Sequence, residues 1–502
     1  MTLEPSHTLA LDAETWSTPA LAPDRIVAAD RSGRVRAWDA EGSVVWEVRL
    51  GAEITASPTL ASLLPSASVD TRAPLSLPGL ADPSGAPTEA GDATADVPLE
   101  PSPSLVLLGD HDGTFVALDL ETGARRWARA LGAKIRATAA VAEIQGIPDI
   151  WLPVYGPRLV RLAMTGRVVY DRPLPKNAIY HRGRPAGAVS SPLVADIDGD
   201  GRTEVVFGVR AQRVYCCDAL SGEIRWFTPL RYDPDSSPTL AEIDGQTVVL
   251  VGGGEHTGGT GDNVLLALHP RDGRIQWTLP AGGGVDGAAT VAEVEGIPTA
   301  FFCSLASASV IAGRTDESWR QPFGPTDDCI HDPICRPPGQ PYFTGRAICR
   351  SYATPLVADM DGDGAPEVVA GSMNGTLLVM DAATGEVRSR LGTGGAIRGN
   401  AVLADIDGSG RCTMAVPSGD RVWIFPTDAP PSNAWPQFKG EPSHLGCREP
   451  RAVAPSLGPS PRLVRARLAW HSSVRDAARF TAFQVERRIL NPLGVRIADH
   501  YY

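Results

Sequence analysis

SSPLVADIDGDGRTEVVFGVRAQRVYCCDALSGEIRWFTPL, residues 190–230, decides the fold. It holds four short apolar stretches, SPLVADI, TEVVFGV, RVYCCDA and EIRWFTP, parted by turns of Asp and Gly. Runs of this length, rich in Val and closed by turn residues, predict strands buried between neighbouring sheets. A second copy, ATPLVADMDGDGAPEVVAGSMNGTLLVMDAATGEVRSRLG, fills residues 353–392.

Weaker copies lie on both sides. Residues 18–51 end in GRVRAWDAEGSVVWEVRLG and residues 57–132 in GTFVALDLETGARRWARALG. Residues 137–174 keep the body but carry Tyr170 where the others have Trp. Residues 236–280 end in GRIQWTLP, 288–322 hold AATVAEVEGIPTAFFCS and Trp319, and 399–427 hold GNAVLADIDGSGRCTMAVPSGDRVWIFP. These make eight units. One four-stranded sheet cannot cover both of its faces, whereas a ring of such sheets can. The expected fold is all-β: an eight-bladed β-propeller of four-stranded blades with a short C-terminal extension. Seven blades is the alternative, because 137–174 and 288–322 are degenerate. Trp46, Trp127, Trp226 and Trp277 recur on the outer strand and are expected to pack against the next blade.

The ALDxxTGxxxW half of the unit resembles the repeat of the pyrroloquinoline-quinone-like (PQQ-like) propellers. The DxDGDGxxE half resembles the FG-GAP calcium repeat of integrin-type propellers. Together they cover residues 17–427 and mark the chain as similar to repeat propellers of bacterial type. The resemblance implies fold more than function, since this fold hosts enzymes, assembly factors and adhesion modules.

Calcium takes about six to eight oxygen ligands, which alternate carboxylates on a Gly-broken turn supply. In DIDGDGRTE the expected ligands are Asp196, Asp198, Asp200, the carbonyl of Arg202 and Glu204. In DMDGDGAPE they are Asp359, Asp361, Asp363, the carbonyl of Ala365 and Glu367. A third loop, DIDGSGRCT, keeps Asp405 and Asp407 but has Ser409 and Thr413 where the others have acids, which predicts weaker affinity. The competing reading of each loop is an ordinary Asp-Gly turn. The loops join first and second strands, so calcium there would staple a turn on one face of the disc.

Connectors between blades open on the other face, and propeller ligands settle where such loops converge. The candidates there are His181, Arg182 and Arg184 in NAIYHRGRPAGAV, Glu255 and His256 in GGGEHTGGTGDN, and Asp286 in GGGVDG. Others are His331 and Asp332, with Asp327 and Asp328, in the connector 323–352, and Arg398 and Asn400 in TGGAIRGN. For each of them the plain alternative is a solvated loop side chain.

Cys216-Cys217-Asp218 matches in outline the vicinal disulfide that some quinoprotein dehydrogenases stack on their quinone. It lies inside a repeat strand, where other blades have apolar pairs such as Ala117-Leu118, so two buried core thiols are the better reading. Cys329, Cys335, Cys349 and His331 miss the short spacing of a zinc knuckle, which favours a disulfide or free thiols.

The balance of 46 Lys+Arg against 58 Asp+Glu, a net charge of −12, argues against nucleic acid or an anionic membrane as partner. No apolar run reaches the roughly 18 residues of a membrane span. MTLEPSHTLALDAETW lacks a basic start followed by an apolar stretch, so a cytoplasmic monomer is expected. A periplasmic or extracellular site is the alternative if the start lies elsewhere. Residues 62–104, rich in Pro, Ala, Ser and Asp, read as a disordered insertion in the second blade. NAWPQFKGEPSHLG, 433–446, resembles the tails that accompany such propellers, which bounds the propeller at 17–446. Residues 447–502 form a basic tail with ten Arg, or part of a fibronectin-III-like module.

The function expected is a calcium-stabilised binding or scaffold propeller that recognises a protein, peptide or glycan through its long-loop face. The alternative is a propeller enzyme, either a PQQ-dependent dehydrogenase or a lyase or cyclase using the His/Arg/Glu loops. No catalytic constellation is legible, and PQQ is disfavoured as a cofactor.

Overall fold

The computed structural model describes residues 3–61, 104–144, 147–175, 180–181, 184–185, 187–254, 263–305, 309–324 and 350–431. They form eight four-stranded antiparallel sheets, with no helix among the described residues. Blades one to seven span 20–49, 59–130, 140–173, 193–229, 239–280, 290–322 and 356–392. Both degenerate segments are thus full blades, and the count is eight. Blade eight takes three strands from 402–426 and its fourth, His7–Ala10, from the start of the chain. That strand lies outside the boundary expected at residue 17, so the ring begins earlier than the repeats suggest. Contacts separate Met1–Cys447 from Arg448–Tyr502. The expectations for residues 62–103, 325–349, 433–446 and 447–502 lie outside the described residues.

Within a blade, burial falls from inside to outside. Every residue of Glu204–Val209 is buried, whereas in Ile224–Pro229 only Trp226 and Thr228 are. The inner strands are covered on both faces and so read as continuous apolar runs; the outermost keeps one wet face and alternates. Each core is shared between blades. Val205, Phe207, Tyr215 and Cys217 of blade four pack with Trp151, Leu159 and Tyr170 of blade three. Leu9, Val422 and Ile424 of blade eight pack with Ile26 and Trp38 of blade one, which closes the ring.

The outer-strand aromatics join blade to blade. The indole N–H groups of Trp46, Trp127, Trp226 and Trp319 donate to the carbonyls of Leu120, Met164, Pro270 and Ala382 in the following blade, at 2.7–2.9 Å. The Tyr170 hydroxyl does the same to Ala219 at 3.1 Å, which explains how blade three manages without the Trp. The ring of Trp46 lies flat on Gly123, whose φ is +69° and where a Cβ would come within 2.7 Å of it. Only glycine meets both conditions.

A second set of bonds runs round the ring on the connector side. Backbone N–H groups donate from Thr18 to Ser57, Ser57 to Thr138, Thr138 to Ser191 and Ser191 to Ser237, each to a side-chain oxygen at 3.0 Å. The series resumes from Ala288 to Thr354, Thr354 to Asn400 and Asn400 back to Thr18. The step from Ser237 has no such acceptor, because position 288 is alanine.

Candidate functional site

Both DGDG loops fold as tight turns around their first Asp. In blade four, Asp196 accepts the N–H groups of Gly199, Asp200 and Gly201 at 2.8–3.2 Å. In blade seven, Asp359 accepts those of Gly362, Asp363 and Gly364 at 2.7–3.1 Å. Gly199, Gly201, Gly362 and Gly364 all have positive φ, which frees their amides to converge on one carboxylate.

The turn gathers acids. Carboxylate oxygens of Asp196, Asp198 and Glu204 lie within 4.8 Å of one another, as do those of Asp359, Asp361 and Glu367. Asp200 and Asp363, also expected as ligands, stand outside these triplets, and Arg202 and Ala365 bond through their N–H groups to them. Glu204 and Glu367 open the second strands of their blades and are 1% and 0% exposed. One oxygen of each accepts a backbone N–H, from Ile197 at 3.1 Å and Met360 at 2.9 Å. Glu367 Oε1 lies 2.9 Å from Arg388 but out of line for a hydrogen bond, and Asp361 Oδ1 is buried without a bond. Burial pushes both Glu carboxyls up to about 7, against the help of those amides and of the nearby Arg, and the adjoining Asp groups add to the shift. Hard, converging oxygens on a Gly-broken turn, two of them unbonded in blade seven, are the donor set that calcium fits.

The third loop differs. Asp405 and Asp407 keep the turn, with Gly410 N–H on Asp405 at 2.9 Å and Ser409 N–H on Asp407 at 3.0 Å. Thr413 replaces the buried Glu, and no triplet of acids forms there among the described residues.

On the opposite face the strand-two-to-three turns bond to the incoming connectors: Arg31, His111, Tyr155 and Arg210 donate their N–H groups to the carbonyls of Glu14, Glu53, Lys134 and Gly187, respectively. Their side chains form a belt. The Arg31 and Arg398 guanidinium carbons lie 4.3 and 3.9 Å from the Trp16 ring centroid, and Arg398 lies 5.6 Å from that of Tyr352. Arg31 reaches Glu14 at 3.4 Å and Glu53 at 2.5 Å, and Glu53 reaches His111 at 3.1 Å. Arg136 lies 3.5 Å from the Tyr155 hydroxyl, and Tyr155 packs against Gly187, where a Cβ would meet its ring at 2.3 Å. Arg210 bonds Asp235 through Nε at 2.8 Å. Lys134 and Arg136 have no carboxylate within ion-pair distance among the described residues.

Of the connector candidates, Arg398 stands in this belt and Asp286 lies close enough to Arg210 for its charge to act on it. Asn400 does not: it is 8% exposed and its amide bridges Thr354 and Thr18 in the ring of bonds. His181 and Arg184 lie in a two-stranded hairpin, Tyr180–His181 with Arg184–Pro185. Arg182, Glu255, His256, His331 and Asp332 lie outside the described residues. Sequence reading missed Trp16, Arg31, Lys134, Arg136, Tyr155 and Arg210. The signal available was position: Trp16, Arg136, Asp235, Asp286, Tyr352 and Arg398 each stand two places before the ring position of their connector. Cys216 and Cys217 are free, fully buried and on opposite faces of their strand, one in each flanking core. Burial pushes the Cys217 thiol up to about 12, so both serve as small apolar residues.

Residues 163–295, from blade three into blade six, match the family model of the outer membrane protein assembly factor BamB, a PQQ-like repeat family. The structure of BamB from Moraxella catarrhalis is similar with a TM-score of 0.52 and 17% identity, over 84% of this chain and 97% of that one. The chain is an eight-bladed β-propeller. The structure of Saccharomyces cerevisiae Sqt1 is also similar, at a TM-score of 0.53 and 10% identity over 85% of this chain and 98% of that one. At these identities the likeness is one of fold. No curated protein sequence matches the chain.

Proposed function

We propose that this propeller is a calcium-stabilised scaffold that binds a protein, peptide or glycan at its connector face. The observation that carries the reading is the belt of Trp16, Tyr352 and cationic side chains, with Lys134 and Arg136 lacking carboxylate partners among the described residues. Aromatic faces and cations without a paired carboxylate supply contact area and orientation to a ligand. The assembly-factor description of the family matched by residues 163–295 supports a scaffold over an enzyme. The test is a panel of immobilised peptides and oligosaccharides, probed with the full chain and with a Trp16→Ala/Lys134→Glu/Arg136→Glu variant of unchanged melting temperature. Retention lost in the variant is expected. Equal retention by both proteins, or none by either, overturns the reading. Turnover abolished by His181, Glu255 or His331 substitutions in a folded protein would favour an enzyme instead.

Calcium is assigned to the blade-four and blade-seven loops, as FG-GAP-type turns, and not to the loop of Asp405. Asp196, Asp198 and Glu204, and Asp359, Asp361 and Glu367, would hold it, and the ion would supply counter-charge to a cluster of acids that a single Arg only partly neutralises. A melt in EDTA, in calcium, and in calcium with PQQ tests this. At a hundredfold over its dissociation constant the ion should add about 2.7 kcal/mol per site. An unchanged melt means that the loops are Asp-Gly turns only, and a further rise with PQQ would revive the dehydrogenase.

A further inference from the structure

Blades two, four and seven share one turn into the fourth strand, Asp-x-x-Ser/Thr-Gly-x-x-Arg, running from Asp119 to Arg126, Asp218 to Arg225 and Asp381 to Arg388. In each, one Asp oxygen accepts both the N–H and the hydroxyl of the Ser or Thr, at 2.8–3.0 Å. The Asp is held alike in all three blades, but the Arg is not. In blade two, Leu105 takes the position of the buried Glu, and Arg126 folds back onto Asp119 with Nε 3.1 Å from Oδ2. In blade seven, Arg388 straddles: Nη2 lies 2.5 Å from Asp381, while Nη1 lies 2.9 Å from Glu367 and 3.7 Å from Asp361 and Asp363. In blade four, Arg225 is given wholly to the acid loop, bonding Glu204 and lying 2.7 Å from Asp200. The three blades lay out the two ends and the middle of a single swing.

We propose that Arg225 and Arg388 are latches: each guanidinium neutralises its acid loop while the loop is metal-free, and moves wholly onto Asp218 or Asp381 when the loop oxygens are given to a divalent cation. The inference rests on the calcium reading of these loops. A buried carboxylate among other carboxylates needs a counter-charge in either state. Arg225 and the cation both draw on Glu204, and Arg388 and the cation both draw on Glu367 and Asp361, so they compete. The second oxygen of Asp218, which accepts no bond among the described residues while the first is fixed by Ser221, is the seat that makes release of Arg225 inexpensive. Calcium affinity is then set by the difference between the two Arg positions, and binding at the loop is reciprocally coupled to the strand-three-to-four turn.

Calorimetric titration of calcium into the full chain tests this, in an Asp359→Asn/Asp361→Asn background that leaves only blade four to read. Arg225→Met removes the competitor and should tighten binding about ten- to a hundredfold, the range expected when a charge-assisted bond no longer has to be broken. The same variant should melt lower than its parent in EDTA, because Glu204 loses its counter-charge. Asp218→Asn, which touches no loop oxygen, removes the return seat and should weaken binding; it carries the test if Arg225→Met does not fold. Parent-like or weaker affinity in Arg225→Met, or unchanged affinity in Asp218→Asn, overturns the latch and leaves calcium standing. Absence of heat in parent and variants alike overturns the calcium reading with it.

Discussion

His111 sits between a carboxylate that would keep it charged and two cations that would not. Burial, then Lys134, push the imidazole below its usual 6.5, and Glu53 at 3.1 Å only partly offsets them. Glu53 itself is held below the ordinary carboxylate value by Arg31 and His111, against its burial. In both groups the folded value is depressed, so the unfolded chain takes up protons first as the solution is acidified. Stability from His111 is complete above about pH 6.5 and is lost as the pH falls through its lower folded value. The part from Glu53 follows at lower pH. Melting curves between pH 8 and 4 should therefore be flat at first and then fall. His111→Gln, which keeps a hydrogen-bonding side chain without titrating, should flatten the upper part of that fall, and an unchanged profile would count against the argument.

Between elements, the connector-side bonds make one specific prediction. Position 288 is the alanine at which the series from Ser237 lapses, and it lies 2% exposed beside Gly287 and Ala289. Ala288→Ser should restore the acceptor and raise the unfolding free energy, read from the denaturant curve, by about 0.5–1.5 kcal/mol, the net worth of one hydrogen bond. A lower midpoint would mean that the hydroxyl overfills the site. The repeats, the outer-strand Trp residues and the acid loops were legible because each is local: four strands, one aromatic and one turn fall within some fifty residues. The His7–Ala10 strand was not, since HTLA carries no Trp, no Gly turn and no neighbouring strand in sequence. Asn400 was misread for a related reason. A lone amide in a Gly-rich connector suggests a ligand contact, but the equivalent Thr and Ser of other blades show it to be part of the blade-to-blade bonding. Arg398 meets Trp16 and Arg31 only because the ring closes, so no stretch of chain displays the stack they form.

For the whole molecule, closure depends on one short strand. His7–Ala10 pairs in register with Arg421–Ile424, and Leu9 and Leu11 are buried between blades eight and one. Removing residues 1–12 leaves a three-stranded blade with an open edge beside blade one. The two leucines alone account for about 3–6 kcal/mol. Chemical denaturation of the truncated chain should show at least that loss, and restoration by a synthetic peptide of residues 1–12 would show that pairing is the cause. An unchanged midpoint would mean that seven complete blades hold the eighth in place.

The bond from Ser6 to the carbonyl of Ile424 spans 418 residues. On a ribosome adding about 5–20 residues per second, the first strand waits on the order of 20–80 s for its partner to be made. Throughout that interval blade one presents an uncovered sheet face, and the nascent ring has two raw ends that can find each other or a neighbour on the same messenger. Spacing of ribosomes, and whatever shields a waiting strand, should therefore govern the yield of this protein more than its final stability does.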